Sequence, residues 1–229
     1  RELFITKSGW KLVDSDLAGI ELRMFAHYLA RYDGGRYAKI LLNDDIHQVN
    51  ADKIGISRRQ VKTVTYAFLY GAGDKKLGFS YDSGLSENKA AAKGKEIRQA
   101  YMDAIPGLED LVSDVTKKVE QTNGIRAIDG RDISVNKGHK ALNFLLQTSA
   151  GIVAKKWCLV TDWTLKHAKL EHERYAFIHD EQVLAAPPSS ADQVAWTCKF
   201  AAKQAGEYYN LRLPIEADAN IGSNWAEVH

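Results

Sequence analysis

The sequence is sparing with cysteine, with long apolar runs and with any excess of one charge, and each shortage excludes something. Its two cysteines, Cys158 and Cys198, both sit in apolar, helix-like stretches. A disulfide-stapled scaffold is therefore excluded, no Cys/His spacing suits structural zinc, and both thiols are expected buried and reduced. No uncharged apolar run approaches the ~20 residues of a membrane span, so no membrane partner is expected. Lys plus Arg is 31 and Asp plus Glu is 29, a net charge of +2. So even a balance does not announce nucleic acid, and any electrostatic footprint must come from clustering. No repeats, low-complexity tracts or linker-like segments occur. No secretory leader is expected, and Arg1 in place of Met points to a processed chain or a piece of a longer one.

What is present is ordinary globular composition, 45% hydrophobic and 26% charged, over 229 residues, enough for one large domain or two small ones. KLVDSDLA reads as a short strand ending in acids. From Glu21 to Tyr32, Leu22, Phe25, Ala26 and Leu29 recur at helical spacing, and Asp33-Gly34-Gly35 breaks the pattern. Residues 45–54 suit a short helix. Ser57 is placed to cap a strong helix from Arg58 to Tyr70, stopped by Gly71-Ala72-Gly73. Residues 86–121 read as two helices divided at Pro106-Gly107. GIRAIDGRDISV has the pattern of a hairpin, and residues 139–168 of one long helix. RYAFIHDEQVLAAPP reads as a second hairpin with His179-Asp180 at its tip. A helix over 190–209 and a last strand within LRLPIEADANIG complete the chain. Strands and helices mix without βαβ alternation, which predicts an α+β fold.

Three islands carry chemistry. In DSDLAGIELR, a strand ending at Asp16 can offer its carboxylate at a sheet edge, with Glu21 five residues on. A lone acid there is more often a turn or cap residue. In RRQVKTVTYAFLYGAG, Arg58, Lys62, Tyr66 and Tyr70 are spaced four apart and share one broad helix face. Two cations then two aromatics suit a triphosphate followed by a base; a solvated basic turn before buried aromatics is the equal alternative. The third island is His179-Asp180-Glu181. If the strands bring Asp16 and Asp180 together, the two carboxylates repel unless metal binds between them, and oxygen ligands suit a pair of Mg²⁺ ions.

In this order and spacing the islands resemble motifs A, B and C of the family A (DNA polymerase I-like) DNA polymerases, closest to those of short-tailed phages. RELFI, AHYLARYDGG, NDDIH, AFLYGAG and the closing NWAEVH extend the likeness over nearly the whole chain. The resemblance implies a right-hand fold, with an antiparallel palm at residues 1–35 and 141–229 and helical fingers at 36–140. It implies templated addition of dNTPs to a primer 3′-hydroxyl on primer-template DNA, using two Mg²⁺ ions for which Mn²⁺ can substitute. Asp16 and Asp180, with the backbone carbonyl of Leu17, match the metal ligands, and Lys62 joins the two aspartates as catalytic. Of two nearby acids, Asp16 rather than Asp14 takes the metal role, because it keeps the spacing to Glu21. Glu21 matches the acid that blocks a ribose 2′-hydroxyl; Arg58, Lys62 and His47 match triphosphate contacts. Tyr66 matches the aromatic over the incoming sugar and base, where Tyr goes with tolerance of dideoxynucleotides. Tyr70 matches the aromatic near the templating position. Arg131, Asn143, Gln147, His179 and Glu181 match primer-template contacts.

With motif A this near Arg1, neither a thumb nor a proofreading exonuclease is expected within these residues, and the resemblance implies a segment between Glu120 and Asp129 shorter than its phage counterparts. Weak DNA affinity and poor processivity are expected from the chain by itself. Lys-rich stretches at 89–98, 117–118 and 137–140 suit either the phosphate backbone or a solvated helix face. An alternative is a C-terminal subunit of a split phage polymerase, inactive until a partner chain supplies thumb and exonuclease. A single-subunit RNA polymerase is disfavoured, because Glu21 would exclude its substrate. The expected compartment is the cytoplasm of a phage-infected bacterium.

Overall fold

The computed structural model describes residues 2–229. In chain order its elements are β1 (Lys11–Leu17), α1 (Ile20–Asp33), α2 (Arg36–Asn43), α3 (Ile46–Ile54), α4 (Arg58–Leu69), α5 (Asp74–Tyr81), α6 (Glu87–Ala104), α7 (Leu108–Thr122), β2 (Gly124–Arg126) and β3 (Asp132–Ser134). A 3₁₀ turn at Gly138–Lys140 then leads into α8 (Ala141–His167), β4 (Glu173–Ile178), β5 (Glu181–Ala186), α9 (Ala191–Tyr208), β6 (Ala217–Gly222) and α10 (Trp225–Val228). The chain divides into two compact units, Arg1–Ile20 with Ser149–His229, and Glu21–Thr148. No described helix is long and apolar enough to cross a membrane.

The first unit is built on a four-stranded antiparallel sheet in the order β4-β5-β1-β6. Successive side chains of a strand alternate between faces. Val13, Ser15 and Leu17 of β1, with Gln182 and Leu184 of β5, therefore point one way, toward α8 and α9. There Gln182 donates to Thr161 on α8 (3.1 Å), and the fully buried Trp157 indole donates to the Cys198 carbonyl on α9 (2.7 Å). Leu12, Asp14 and Asp16 point the other way. Leu12, Val183, Ala185 and Val228 of α10 form a small apolar cluster on that face, with Trp10 and Trp225 against it.

The second unit is helical. Leu22, Phe25, Ala26 and Leu29 of α1 are all buried, as their spacing predicts, and Phe25 meets Tyr37 of α2 edge to face. Ser57 caps α4 through a reciprocal pair with Gln60, which satisfies two helix-end donors. The α4–α5 corner is tied by Arg98, which donates to the Ala72 carbonyl and to Asp74 (2.6 Å each). A separate cluster of Val119, Ile125, Val135, Ala141 and Leu145 seats β2 and β3 between α7 and the start of α8.

Most expected elements form, with two departures. Helices α2 and α5 are absent from the sequence reading, because Gly34-Gly35 and Gly71-Ala72-Gly73 look like ends of structure and are instead tight corners between helices. The last strand expected within LRLPIEADANIG forms as β6, over Ala217–Gly222. Cys198 is buried, and burial pushes its thiol up to about 12, whereas Cys158 is only half-buried.

Helices α5 and α6 touch through backbone. A Cβ at Gly78 would run into the Ala90 carbonyl, and one at Gly94 into the Asp74 carbonyl. Gly94→Ala should therefore destabilise the chain by about 3 kcal/mol. Gly151→Ala on α8 meets nothing within 4 Å and should stabilise by up to ~1 kcal/mol. Urea denaturation of both variants checks the contrast.

Candidate active site

The acids of the sheet-bearing unit converge at the outer end of β1. Asp16 lies opposite Glu181 of β5 on one side and Asp218 of β6 on the other. Directly opposed residues share a face, so three carboxylates sit in one row. Asp180 completes the group from the two-residue turn between β4 and β5, and its carbonyl accepts from the Leu17 amide (3.0 Å). Part of the Asp16 side chain reaches solvent, yet its carboxyl is pushed up to about 6. Desolvation is the larger cause and the Asp180 charge the next; Glu181 and Asp218 add to it and His229 opposes it. Crowded carboxylate oxygens of this kind fit a hard divalent cation, which would relieve the repulsion.

The turn holding Asp180 has a second feature. His179 has φ +56°, a left-handed conformation uncommon outside glycine, though histidine adopts it more readily than most residues. The bend aims Asp180 back toward β1 at the cost of backbone strain.

In the helical unit, Arg58, Lys62, Tyr66 and Tyr70 follow one side of α4 and its C-cap, the first two and the last exposed and Tyr66 half-buried. Arg58 pairs with Asp45 (2.5 Å), which also caps α3 by accepting from the His47 and Gln48 amides. His47 is 7% exposed and its ring lies 6.1 Å from that of Tyr66. Burial holds its pKa down, with the Arg58 and Lys62 charges helping against Asp45, so the imidazole is neutral near pH 7. The Tyr70 hydroxyl donates to Glu21 (2.8 Å), fixing that carboxylate at the start of α1. Asn143 on α8 donates to the Leu69 carbonyl at the end of α4 (3.1 Å). Gln147 is one turn further along, its amide nitrogen buried and without a hydrogen bond. Arg131 bonds Asp129 (2.7 Å) in the β2–β3 loop.

Three residues of the acidic end go unassigned in the sequence reading. Asp218 is legible only once β6 is registered against β1. Asp14 is 4% exposed and lies with Glu181 and His229, whose ligand-type atoms are within 4.8 Å of one another. For His229 the available signal is the closing NWAEVH, which brings the chain back over the sheet.

A family model for DNA polymerase family A matches residues 1–227. The chain belongs to DNA polymerase family A. It is 32% identical to the DNA-directed DNA polymerase of Enterobacteria phage T3 and 31% identical to that of Escherichia phage T7. Each alignment covers 98% of this chain and 34% of the phage protein, so the family A chain described here spans about a third of the length of these relatives. The polymerase domain of Pol1 from M. smegmatis, solved with DNA primer-template and dNTP, superimposes with a TM-score of 0.83 over the whole chain and 42% of its own, at 22% identity. The fold is thus the α+β palm-and-fingers fold of family A polymerases.

The Asp16 carboxyl generates a pH prediction. Its folded-state pKa, about 6, lies above the ordinary 3.8, so the folded chain holds the protonated form more tightly. In metal-free buffer the group costs nothing below about pH 4, and its full cost is reached above about pH 6. Asp16→Asn should melt higher than the parent above pH 6, with the gap closing as pH falls toward 4. Thermal melts with a chelator across that range check it; a gap independent of pH would contradict the crowding.

Proposed function

We propose that the chain is the catalytic portion of a DNA-templated DNA polymerase, adding deoxynucleotides to a primer 3′-hydroxyl. The observation that carries the reading is the meeting of Asp16 and Asp180 at the end of β1, where the Leu17 amide bonds the Asp180 carbonyl and where burial first and the Asp180 charge next push the Asp16 carboxyl up to about 6. Family membership and the fold support it. We assign the palm to residues 1–35 and 141–229 and the fingers to 36–140. The phage relatives support action in the cytoplasm of an infected bacterium.

Asp16, Asp180 and the Leu17 carbonyl would hold two Mg²⁺ ions, or Mn²⁺ in their place. When bound, these supply charge neutralisation at the attacking and leaving oxygens of phosphoryl transfer. The remaining work falls to the chain's own groups. Arg58 and Lys62 would hold the triphosphate, with Lys62 neutralising charge on the departing pyrophosphate. The neutral His47 would donate one hydrogen bond to the same group rather than a charge. Tyr66 offers a ring to the incoming sugar and base. Glu21, anchored by Tyr70, would meet a ribose 2′-hydroxyl with a fixed carboxylate and so exclude ribonucleotides. Arg131, Asn143, Gln147, His179 and Glu181 would position the primer-template.

Primer extension by the purified chain at low salt with Mg²⁺ tests the reading, because phosphate contacts weaken steeply as salt rises. Extension should fall at least about a hundredfold in Asp16→Ala and in Asp180→Ala. Activity surviving in Asp180→Ala would overturn the two-aspartate mechanism.

Sugar selection makes a separate prediction. Glu21→Ala should narrow the preference for dNTP over rNTP by about tenfold or more, which is ~1.4 kcal/mol. Tyr70→Phe removes the bond to Glu21 while leaving the carboxylate in place, and should move selectivity in the same direction by less. Single-nucleotide kinetics with matched dNTP and rNTP measure both; unchanged selectivity in Glu21→Ala would refute the steric role.

A further inference from the structure

Beside the Asp16–Asp180 pair lies a second cluster with different donors. His229 Nδ1 is 3.5 Å from Glu181 Oε2 and 3.9 Å from Asp14 Oδ2. The ligand-type atoms of the three side chains all fall within 4.8 Å of one another. The geometry points to a binding site for a borderline divalent transition ion, Zn²⁺ in the first instance, formed by Asp14, Glu181 and His229 and distinct from the polymerase metal pair.

Donor chemistry separates the two places. The first offers oxygens alone, as Mg²⁺ requires; the second adds an imidazole nitrogen, which suits zinc and its neighbours and which Mg²⁺ avoids. One His with two carboxylates leaves a fourth position for water, the pattern of an open zinc site. Bonds of 2.0–2.2 Å in a tetrahedron set donors roughly 3.4 Å apart, so the two His229 separations, 3.5 and 3.9 Å, need a contraction of at most about 0.5 Å.

Two features hold the donors ready. The Trp225 indole donates to Glu181 Oε1 (3.0 Å), which leaves Oε2 for the ion. Asn220 of β6 donates to the Val228 carbonyl (2.9 Å), which pins the residue before His229 to the sheet. Outer contacts of this kind orient metal ligands and raise affinity. Burial supplies the drive. The Asp14 and Glu181 side chains are 5% and 11% exposed, so two carboxyl groups lie largely out of water against one imidazole. A divalent ion would compensate their charge. The His229 side chain is 34% exposed, which leaves an entry path. The bound ion would clamp the C-terminal segment across β1 and β5.

The test is calorimetric titration of the full chain with Zn²⁺ in a large excess of Mg²⁺, which occupies oxygen-only sites. Visible absorption with Co²⁺ in place of Zn²⁺ reports nitrogen ligation. One ion should bind, and His229→Ala and the isosteric Asp14→Asn should each weaken it about tenfold or more, with circular dichroism showing both variants folded. Asp16→Asn and Asp180→Asn should retain it. Zn²⁺ should raise the melting temperature of the parent and not of the His229 variant. No uptake over Mg²⁺, uptake unchanged in both His229→Ala and Asp14→Asn, or loss of the site in Asp16→Asn would each overturn the assignment.

Discussion

The position of β1 between β5 and β6 is the constraint on which the acidic centre depends. A strand paired on both sides has its register set twice, and here both pairings place an acid against Asp16, Glu181 from one neighbour and Asp218 from the other. A slip of one residue would turn Asp16 toward α8 and α9 and bring Ser15 or Leu17 into the acidic row. Burial opposes such a slip, because Val13, Ser15 and Leu17 occupy the covered face and are 0–1% exposed. The apolar face therefore sets where the charges go. The Asp16 carboxylate contributes nothing to stability in return: burial first, then the Asp180 charge and the row itself, push its carboxyl up to about 6.

The covered face also explains how β5 is held against this repulsion. Gln182 is fully buried, accepts from Arg174 (2.6 Å) and donates to Thr161 (3.1 Å). Arg174 also reaches the Cys158 carbonyl (3.2 Å). A satisfied network of this kind resists rearrangement, since breaking one bond strands a buried polar group. Glu181 on one side of the sheet and Gln182 on the other are thus successive residues with opposite tasks. The turn at His179 joins this rigid strand to β4, so the position of Asp180 follows from the packing of β5 on the covered face.

Legibility in the sequence followed local physics. The α1 core face could be read because Leu22, Phe25, Ala26 and Leu29 repeat at 3.6 residues, and the start of α4 because Ser57 and Gln60 are a capping box. The hairpin tip at His179-Asp180 was readable from apolar runs on either side. Helices α2 and α5 were not, since glycine pairs mark a corner and a true end alike; what decides is the packing beyond, such as Arg98 tying the α4–α5 corner. The link from Tyr70 to Glu21 and the company of Asp14 with His229 lie further out of reach, because each joins residues 49 or more apart through tertiary contact. Motif spacing named most of the candidate residues, but not the hydrogen bonds and charges that surround each one.

The resting partners of the α4 cations bear on how readily they could be handed to a ligand. Arg58 pairs with Asp45, and both side chains are about half exposed, 50% and 44%. Exposed pairs contribute little, since water competes for both partners. Asp45 does not depend on Arg58, because it also accepts two amides at the start of α3. In the proposed role, Arg58 would exchange this exposed carboxylate for a phosphate, another charge-assisted partner, while Asp45 kept its two amide bonds. A neutral His47 nearby avoids adding a further positive charge to be desolvated when the site is empty. An exposed Arg58 pair would leave that cation available to a ligand, whereas breaking a buried pair would strand an uncompensated charge.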